Sequence, residues 1–356
     1  MINQKGVRST STTEPPLFEV ISCNICGTNS QTAQKIGLLN DPFLRFFSIS
    51  RSQWVICNQC SLVFQNPRPN YQAWAKLYVN SVYRDIAGSV DNPGTHSYSY
   101  VQFKKMEKWF TRATGTSIGT SFPRRFLDFG CGIGGTLKYF QDKGCEKTAG
   151  IEVDDRCVAE GRKHFGVDIS ADFEADNIRD QSFDLIFTHH CLEHLLDINH
   201  FFENVSRRLD QNGFLAIVLP SYWKAKARDG YGTVVSHNFI VTHHTLKYYF
   251  RKHGLDYVAH RYAHLPGSDH EIWCVAKKSL EKPRNSPLLK YDRAIVARSL
   301  FVLRYLVPLR IALFWIPENL SVHFSPRARF ALRFLLKGLL PQRAFEIMIT
   351  HKRRLL

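Results

Sequence analysis

Apolar residues in the middle of the chain fall into short runs of strand length, and segments with helical spacing separate them. The runs are FLDF, TAGI, FDLIFTH and FLAIVLP, in that order. Because strands that alternate with helices form parallel sheets with helices on both faces, this order predicts a doubly wound α/β domain. Two later runs, LDYVAHRYAHL and EIWCVAKK, lie close together and predict an antiparallel hairpin that ends the sheet.

The first of these strands leads into a glycine-rich turn. The strand ends on Asp128, the turn contains Gly130, Gly132 and Gly134, and a helix with apolar residues follows. Glycines let a backbone approach a ligand closely, and the start of a helix offers unpaired N–H groups. The turn, including Cys131, is therefore predicted to bind a nucleotide-like cofactor.

The nature of that cofactor depends on the surrounding residues. The glycine spacing also fits the dinucleotide fingerprint, in which an acid follows about 20 residues later, here Glu152. A nicotinamide cofactor is therefore an alternative. Against it, Asp128 stands two residues before the first glycine, where it can face a cationic ligand, and the sequence shows one nucleotide-binding half.

A series of short motifs favours a sulfonium cofactor. The motifs are LDFGCGIG, GIEVD, FDLI, LEHL and GFLAIVLP. Together they resemble the class I S-adenosylmethionine-dependent methyltransferases over roughly residues 124–277. The resemblance implies a Rossmann-like sheet of seven strands and S-adenosyl-L-methionine as cofactor. Glu152 would accept hydrogen bonds from the ribose hydroxyls. Asp172 would border the adenine, with Glu174 and Asp176 as alternatives.

The segment HHCLEHL carries the candidate catalytic residues. It follows the fourth strand, at the end of the sheet where doubly wound folds bind ligands. We therefore expect His189 near the cofactor, and His190, Glu193 and His194 near the transferred methyl group. Histidine suits the deprotonation of a hydroxyl or carbon acid at neutral pH. His237, at a position where the family often has a histidine, is a second candidate base.

Two other roles stay open for this segment. Its side chains could line the pocket without transferring a proton. In ubiquinone-pathway O-methyltransferases an acid-x-x-Glu-His arrangement holds a divalent cation. Here His190 stands in place of the first acid, which argues against a magnesium site.

The N-terminal region contains two Cys-x-x-Cys pairs separated by 30 residues. Their members are Cys23, Cys26, Cys57 and Cys60. Paired thiolates at tight turns suit tetrahedral Zn²⁺, and a closed four-thiolate site has a structural rather than a catalytic role. A redox dithiol or a disulfide pair is the alternative, but the odd total of nine cysteines and the lack of an export signal favour reduced thiols.

The order of the N-terminal motifs bears on the substrate. The cysteine pairs precede LVFQNPRP, residues 62–69, and then the methyltransferase motifs. This order resembles methyltransferases of bacterial sugar and glycan pathways, which implies O- or C-methylation of a small molecule or glycan. An RNA methyltransferase and a non-catalytic protein with a retained cofactor pocket are the alternatives. The zinc module is not strongly basic, which argues against nucleic acid as a partner.

Aromatic residues after this segment recur at helical intervals. They are Tyr71, Trp74 and Tyr78. Such a face predicts packing against the domain, with a substrate-stacking platform as the alternative.

Positive charge is concentrated at the C-terminal end. The chain has a net charge of +16, and residues 280–356 contain 15 Lys and Arg against 4 Asp and Glu. Arg329, Arg333 and Lys337 fall on one face of a predicted helix with leucines opposite. A basic amphipathic helix is typical of an anionic membrane surface. A helical extension that covers the domain or a dimer partner is the alternative, and the oligomeric state stays open.

These patterns divide the chain into five predicted parts. They are a disordered N-terminus (1–16), a zinc-ribbon-like module (17–70), a helical connector (71–123), a methyltransferase domain (124–279) and a basic helical extension (280–356). With no apolar N-terminal segment and no run of 18 uncharged apolar residues, we expect a cytoplasmic protein. Peripheral contact with the inner membrane surface through the extension is a further expectation.

Overall fold

The N-terminal part of the chain forms short strands and helices. The computed structural model describes residues 17–36, 41, 43–49, 52–79, 81–87, 98–119, 121–221, 234–264 and 270–280. The first strands are β1 (Phe18–Glu19), β2 (Gln31–Ile36), β3 (Ser52–Cys57), β4 (Val63–Gln65) and β5 (Arg68–Pro69). The first helices are α1 (Phe43–Phe46), α2 (Tyr71–Tyr78), α3 (Val82–Ala87) and α4 (Tyr98–Thr114).

Strands and helices then alternate, as the apolar runs predict. The strands are β6 (Arg125–Phe129), β7 (Lys147–Ile151), β8 (Ile169–Ser170), β9 (Phe183–His189), β10 (Leu209–Pro220), β11 (Phe239–Ile240), β12 (Leu255–His264) and β13 (His270–Lys278). The helices are α5 (Gly135–Asp142), α6 (Asp155–Phe165), α7 (Ile198–Arg208) and α8 (His243–Lys252). A 3₁₀ turn, Leu192–His194, lies between β9 and α7.

The main sheet has seven strands in the order β12, β13, β10, β9, β6, β7, β8. Strands β6 to β10 are parallel to their neighbours within this set, and β13 is antiparallel to β10 and β12. The predicted seven-stranded, mostly parallel sheet with its closing hairpin is confirmed. The chain moves from β6 outward to β8 and then returns to β9 on the other side of β6. The carboxyl ends of β6 and β9 therefore flank the crevice where such folds bind ligands.

Helices cover both faces of the sheet, which explains why its central strands are continuous apolar runs. On one face, Phe103 of α4 contacts Phe140 of α5, with ring centroids 4.7 Å apart. On the other face, Phe202 of α7 stacks on Tyr249 of α8 at 5.1 Å. All four side chains are buried.

The N-terminal module is joined to the main sheet domain by strand pairing and by a shared core. Strand β11 follows β10 in the chain but pairs with β4, where Phe239 lies opposite Phe64. Cys57 and Phe64 belong to the same cluster of buried residues as Phe202 and Tyr249. The module is therefore packed on the face of the sheet that α7 and α8 cover.

Capping side chains set the starts of two helices. Helix α7 starts at Ile198, because the Asp197 side chain accepts from the Asn199 backbone N–H. Helix α8 starts at His243, because Thr242 caps it and the Thr245 side chain bonds back to the Thr242 backbone.

Some predictions fall outside the described residues. They concern the disordered N-terminus (1–16) and nearly all of the basic extension (281–356). Within the part of the chain that the structure describes, no helix is both long enough and apolar enough to cross a membrane.

Candidate active site

The glycine turn after β6 is tight because the backbone takes left-handed conformations. Gly130 has a φ of +74°, and its N–H donates to the carbonyl of Ile151 on β7 at 2.8 Å. A Cβ at this position would lie 2.6 Å from the sulfur of Cys191. Gly134, with a φ of +80°, is the N-cap of α5. The turn therefore brings β6, β7 and the segment after β9 into contact, which larger residues would prevent.

A cavity of about 500 Å³ lies beside this turn. Three predicted cofactor contacts line it: Gly130, Glu152 and Asp172. Phe129 and Phe173 stack in its wall with ring centroids 5.1 Å apart. The cavity therefore combines an apolar wall with carboxylates at one side, as a nucleoside requires.

The Glu152 carboxylate is held in one orientation by the backbone. Its Oε2 accepts from the N–H of Gly132 at 2.9 Å, and its Oε1 accepts from Val153 at 2.8 Å and Asp154 at 3.0 Å. Arg84 of α3 lies 3.5 Å from Oε2. Sequence analysis missed Arg84, since nothing in its local pattern relates it to a residue 68 positions further along the chain.

Other predicted cofactor contacts lie below the cavity surface. Asp128 is 2% exposed, and burial raises its pKa to about 8 although a hydrogen bond with Thr136 acts in the opposite sense. Cys131 is also buried, in the cluster that contains Leu137. Neither side chain is on the cavity wall, and the same holds for Gly132 and Gly134. Their contact with a cofactor stays a prediction.

Three of the predicted catalytic residues meet in one cluster. The functional atoms of Glu193, His194 and His237 lie within 4.8 Å of one another. The side chain of Asn238 donates to the carbonyl of His194 at 2.9 Å, and the backbone N–H of Asn238 donates to the backbone carbonyl of Glu193 at 2.7 Å. The segment that leads into β11 therefore fixes the 3₁₀ turn after β9.

Hydrogen bonds of the N-terminal helix α2 define the tautomer of His194. The Tyr78 hydroxyl donates to the carbonyl of Ser236 at 2.8 Å, so it accepts from Nδ1 of His194 at 2.7 Å. The same Nδ1 lies 3.1 Å from the Ser236 carbonyl, which can only accept. Both contacts require the proton on Nδ1, which leaves Nε2 as the basic nitrogen.

The aromatic face of α2 has a more specific role than the packing that its spacing predicts. The Trp74 indole N–H donates to the carbonyl of His194 at 2.9 Å. Tyr71 and Trp74 also line the cavity. Tyr83 of α3 contacts the His194 ring edge-on at 5.1 Å. Sequence analysis missed these partners of His194, because they are more than 100 residues away from it in the chain.

Burial sets the charge of the cluster. It is the main cause that lowers the pKa of His194 well below its ordinary value, and it raises the pKa of Glu193 to about 8. Neither carboxylate oxygen of Glu193 has a hydrogen-bond partner among the described residues. Burial therefore disfavours the charged form of both side chains.

His189 and His190 lie apart from the cofactor cavity, together with a residue that sequence analysis missed. Their Nε2 atoms lie 3.8 and 3.6 Å from Oε1 of Glu271, at the start of β13. Burial lowers the pKa of His190 to about 3. An acid at the start of the otherwise apolar run EIWCVA was the available signal, since a buried acid there needs a partner.

A family model described as a methyltransferase domain matches residues 98–260. Residues 98–260 therefore form a methyltransferase domain. The match begins at α4, which the sequence had placed in the connector, and it includes the glycine turn, Glu152 and the turn that carries His194.

The methyltransferase domain is similar to several known proteins. Over 94 residues the chain is 33% identical to malonyl-[acyl-carrier protein] O-methyltransferase of Enterobacter lignolyticus (strain SCF1), covering 26% of this chain and 37% of that protein. The plantazolicin methyltransferase BpumL in complex with SAH is 13% identical, with coverage of 58% and 93% and a TM-score of 0.43. An S-adenosylmethionine-dependent methyltransferase from Mesorhizobium loti is 17% identical, with coverage of 48% and 97% and a TM-score of 0.40.

The four N-terminal cysteines lie outside the matched methyltransferase domain and form a compact cluster. The sulfurs of Cys23 and Cys60 are 3.4 Å apart, and those of Cys26 and Cys57 are 3.5 Å apart. All four lie within 4.8 Å of one another. Zinc–sulfur bonds of 2.3 Å at tetrahedral angles place sulfurs roughly 3.8 Å apart, so the cluster fits a four-thiolate zinc site.

The buried carboxyl group of Glu193 predicts a specific pH dependence of stability. Its folded-state pKa of about 8 lies above the ordinary value of 4.5, so the folded protein holds a proton that the unfolded chain releases. The associated stability is complete below pH 4.5 and is lost as the pH rises through 8. Between pH 4.5 and 8 the unfolding free energy of the wild type should therefore fall by roughly 1.4 kcal/mol per pH unit because of Glu193. Glu193→Gln cannot ionise at this position, so it should lack this contribution.

Urea unfolding at several pH values, followed by tryptophan fluorescence, measures this slope. Glu203→Gln, which changes an exposed acid on α7, is the matched control and should keep the wild-type slope. Asp128, whose pKa is also raised, makes the same contribution to the pH dependence of stability in all three proteins. Identical slopes for wild type and Glu193→Gln would contradict the prediction.

Proposed function

We propose that the protein transfers the methyl group of S-adenosyl-L-methionine to an oxygen or carbon atom of a small molecule, in particular a sugar or a glycan-pathway metabolite. The observation that carries the proposal is the position of a fixed carboxylate, Glu152, on the wall of a cavity beside the glycine turn of a methyltransferase domain. The resemblance of the N-terminal motifs supports the substrate class.

The residues of the cavity fit the cofactor. Glu152 keeps about one acceptor site for a ribose hydroxyl, since a carboxylate offers about four and three backbone N–H groups occupy the others. Asp172 is exposed on the cavity wall, where the adenine is expected. The apolar pair of Phe129 and Phe173 provides a surface for the rings. When bound, S-adenosyl-L-methionine supplies a methyl group that is already electrophilic.

The protein then has to align the acceptor and remove its proton. His194 is suited to this step, because its proton lies on Nδ1 and its Nε2 can accept a proton from an acceptor hydroxyl or carbon acid. Its lowered pKa keeps the ring neutral at physiological pH. Glu193, protonated and buried, shapes the site. His237, with its ring centroid 4.7 Å from that of His194, is the second candidate base.

We also propose that Cys23, Cys26, Cys57 and Cys60 hold one structural Zn²⁺. The spacing of the four sulfurs supports this assignment. The four thiolates leave no open coordination position, and the cluster shares a hydrophobic core with the sheet. The metal would therefore stabilise the N-terminal module, which contacts α2 and β11.

Calorimetric titration with S-adenosylhomocysteine tests the cofactor proposal. Glu152→Gln keeps the size of the side chain but removes its charge, and loss of a charge-assisted hydrogen bond should weaken binding by roughly 10- to 100-fold. Glu160→Gln is the matched control, because Glu160 pairs with His164 on the surface of α6 and is not on the cavity wall. Binding of NADH together with no binding of S-adenosylhomocysteine would overturn the proposed function.

A further inference from the structure

His189, His190 and Glu271 form a cluster that the cofactor cavity does not include. His189 ends β9 and lies opposite Val218 of β10, while Glu271 lies opposite Pro220 on the other side of the same strand. Side chains from the two strands that flank β10 therefore meet across it. Cys191, the next residue after the two histidines, lines the cofactor cavity. The cluster thus adjoins the crevice without belonging to its cofactor-binding wall.

The backbone of His190 explains how two consecutive side chains point the same way. Successive residues of a strand project to opposite faces. His190 leaves the strand with a φ of +49°, a left-handed conformation that is uncommon for residues other than glycine. As a result, the two imidazoles lie face to face, 4.3 Å apart and within 3° of parallel. Both Nε2 atoms approach Oε1 of Glu271.

The Glu271 carboxylate has a fixed position and faces both imidazoles. Its Oε2 accepts from the Trp273 indole N–H at 2.8 Å, and the residue is 1% exposed. Its Oε1 lies 3.6 Å from Nε2 of His190 and 3.8 Å from Nε2 of His189, within ion-pair range. A buried carboxylate is stabilised by positive charge beside it, and a metal ion shared with the two imidazoles would supply that charge.

We propose that His189, His190 and Glu271 bind one divalent transition-metal ion. Ligand bonds of 2.0–2.2 Å at tetrahedral angles place ligand atoms roughly 3.4 Å apart. The two separations between the carboxylate oxygen and the imidazole nitrogens are wider by a few tenths of an ångström, and all three ligand atoms lie within 4.8 Å of one another. The stacked imidazole rings would tilt toward each other to direct both nitrogens at one ion. Two imidazoles and one carboxylate suit Zn²⁺, Mn²⁺ or Fe²⁺ and leave coordination positions open.

The open coordination positions of such an ion suit oxygen ligands. A metal held by three protein ligands can take up a hydroxyl, carbonyl or carboxylate oxygen and lower the pKa of a bound hydroxyl. Binding such an oxygen from the methyl acceptor rests on the proposed function; the metal site itself does not. It also differs from an acid-x-x-Glu-His cation site, because Glu193 and His194 belong to the neighbouring cluster.

Metal counting on the full-length protein tests the site. Wild type and variants are loaded separately with Mn²⁺ and with Zn²⁺, desalted and subjected to elemental analysis. The result is the metal content of the wild type minus that of Glu271→Gln. Metal bound at the four cysteines is the same in both proteins and does not affect this difference. We expect Glu271→Gln and His190→Ala each to lose one equivalent of at least one of the two ions. His164→Ala, which removes a surface histidine paired with Glu160, should lose none.

Metal content and S-adenosylhomocysteine binding together show whether the ion depends on Glu271 itself. Glutamine can still accept from Trp273, and unchanged binding of S-adenosylhomocysteine by Glu271→Gln would show that the fold and the cofactor site are intact. Equal metal content in wild type, Glu271→Gln and His190→Ala for both ions would overturn the site. Loss of the ion in Glu193→Gln but not in Glu271→Gln would place it in the neighbouring cluster and would overturn the assignment as well.

Discussion

Replacing His194 by alanine is expected to lower turnover by roughly 10²–10⁴-fold, the usual contribution of a positioned general base. The neutral Nε2 of His194 would be lost, while the cofactor cavity, whose wall does not include His194, would keep its shape. Affinity for S-adenosylhomocysteine should therefore change little. Release of S-adenosylhomocysteine, measured with a methyl acceptor found by mass-shift screening, gives the turnover. Calorimetry gives the cofactor affinity.

Two further variants sharpen this result. Tyr78→Phe removes one of the two acceptors for the Nδ1 proton but leaves the Ser236 carbonyl at 3.1 Å, so we expect a smaller loss of about tenfold. His237→Ala tests the second candidate base. A large loss in His237→Ala with near-normal turnover in His194→Ala would assign the base to His237. Normal turnover in both would mean that catalysis depends on alignment alone.

The sheet and the glycine turn were predictable because their signals are local. Apolar runs of strand length identify the central strands, and glycines at short spacing mark a turn with left-handed backbone, as Gly130 and Gly134 have. Glu152 was predictable for the same reason, since it follows its strand directly. These features depend on neighbours in sequence, so one sequence is enough to find them.

The partners of the candidate catalytic residues could not be predicted in this way. Tyr78 and His194 are 116 positions apart, and Glu271 lies near His190 only because β9 and β13 are on the two sides of β10. The pairing of β11 with β4 likewise depends on tertiary structure. Sequence spacing predicted that the face of α2 packs, but not that it packs on His194. Long-range contacts of this kind require the topology.

Replacing Cys57 by serine is expected to remove the metal and to unfold the N-terminal module. Structural zinc in small modules contributes on the order of 10 kcal/mol to folding, which is comparable to the whole stability of a domain. Cys57 is completely buried, and its sulfur lies 3.5 Å from that of Cys26. Serine is a poor zinc ligand, so three thiolates would remain at a site built for four. Elemental analysis should find about one zinc in fresh, reduced wild type and less in the variant.

The consequences of Cys57→Ser should extend to the active site. The module shares its core with α7 and α8, β4 pairs with β11, and the helix that follows β5 holds the His194 tautomer. We therefore expect turnover to fall together with zinc content, and wild type stripped by a chelator to behave in the same way. Cys145→Ser is the matched control, because Cys145 lies outside the cluster, where its thiol donates to the backbone carbonyls of Arg124 and Lys147. Zinc-free wild type that is as stable and as active as the zinc-loaded protein would disprove the structural role of the metal.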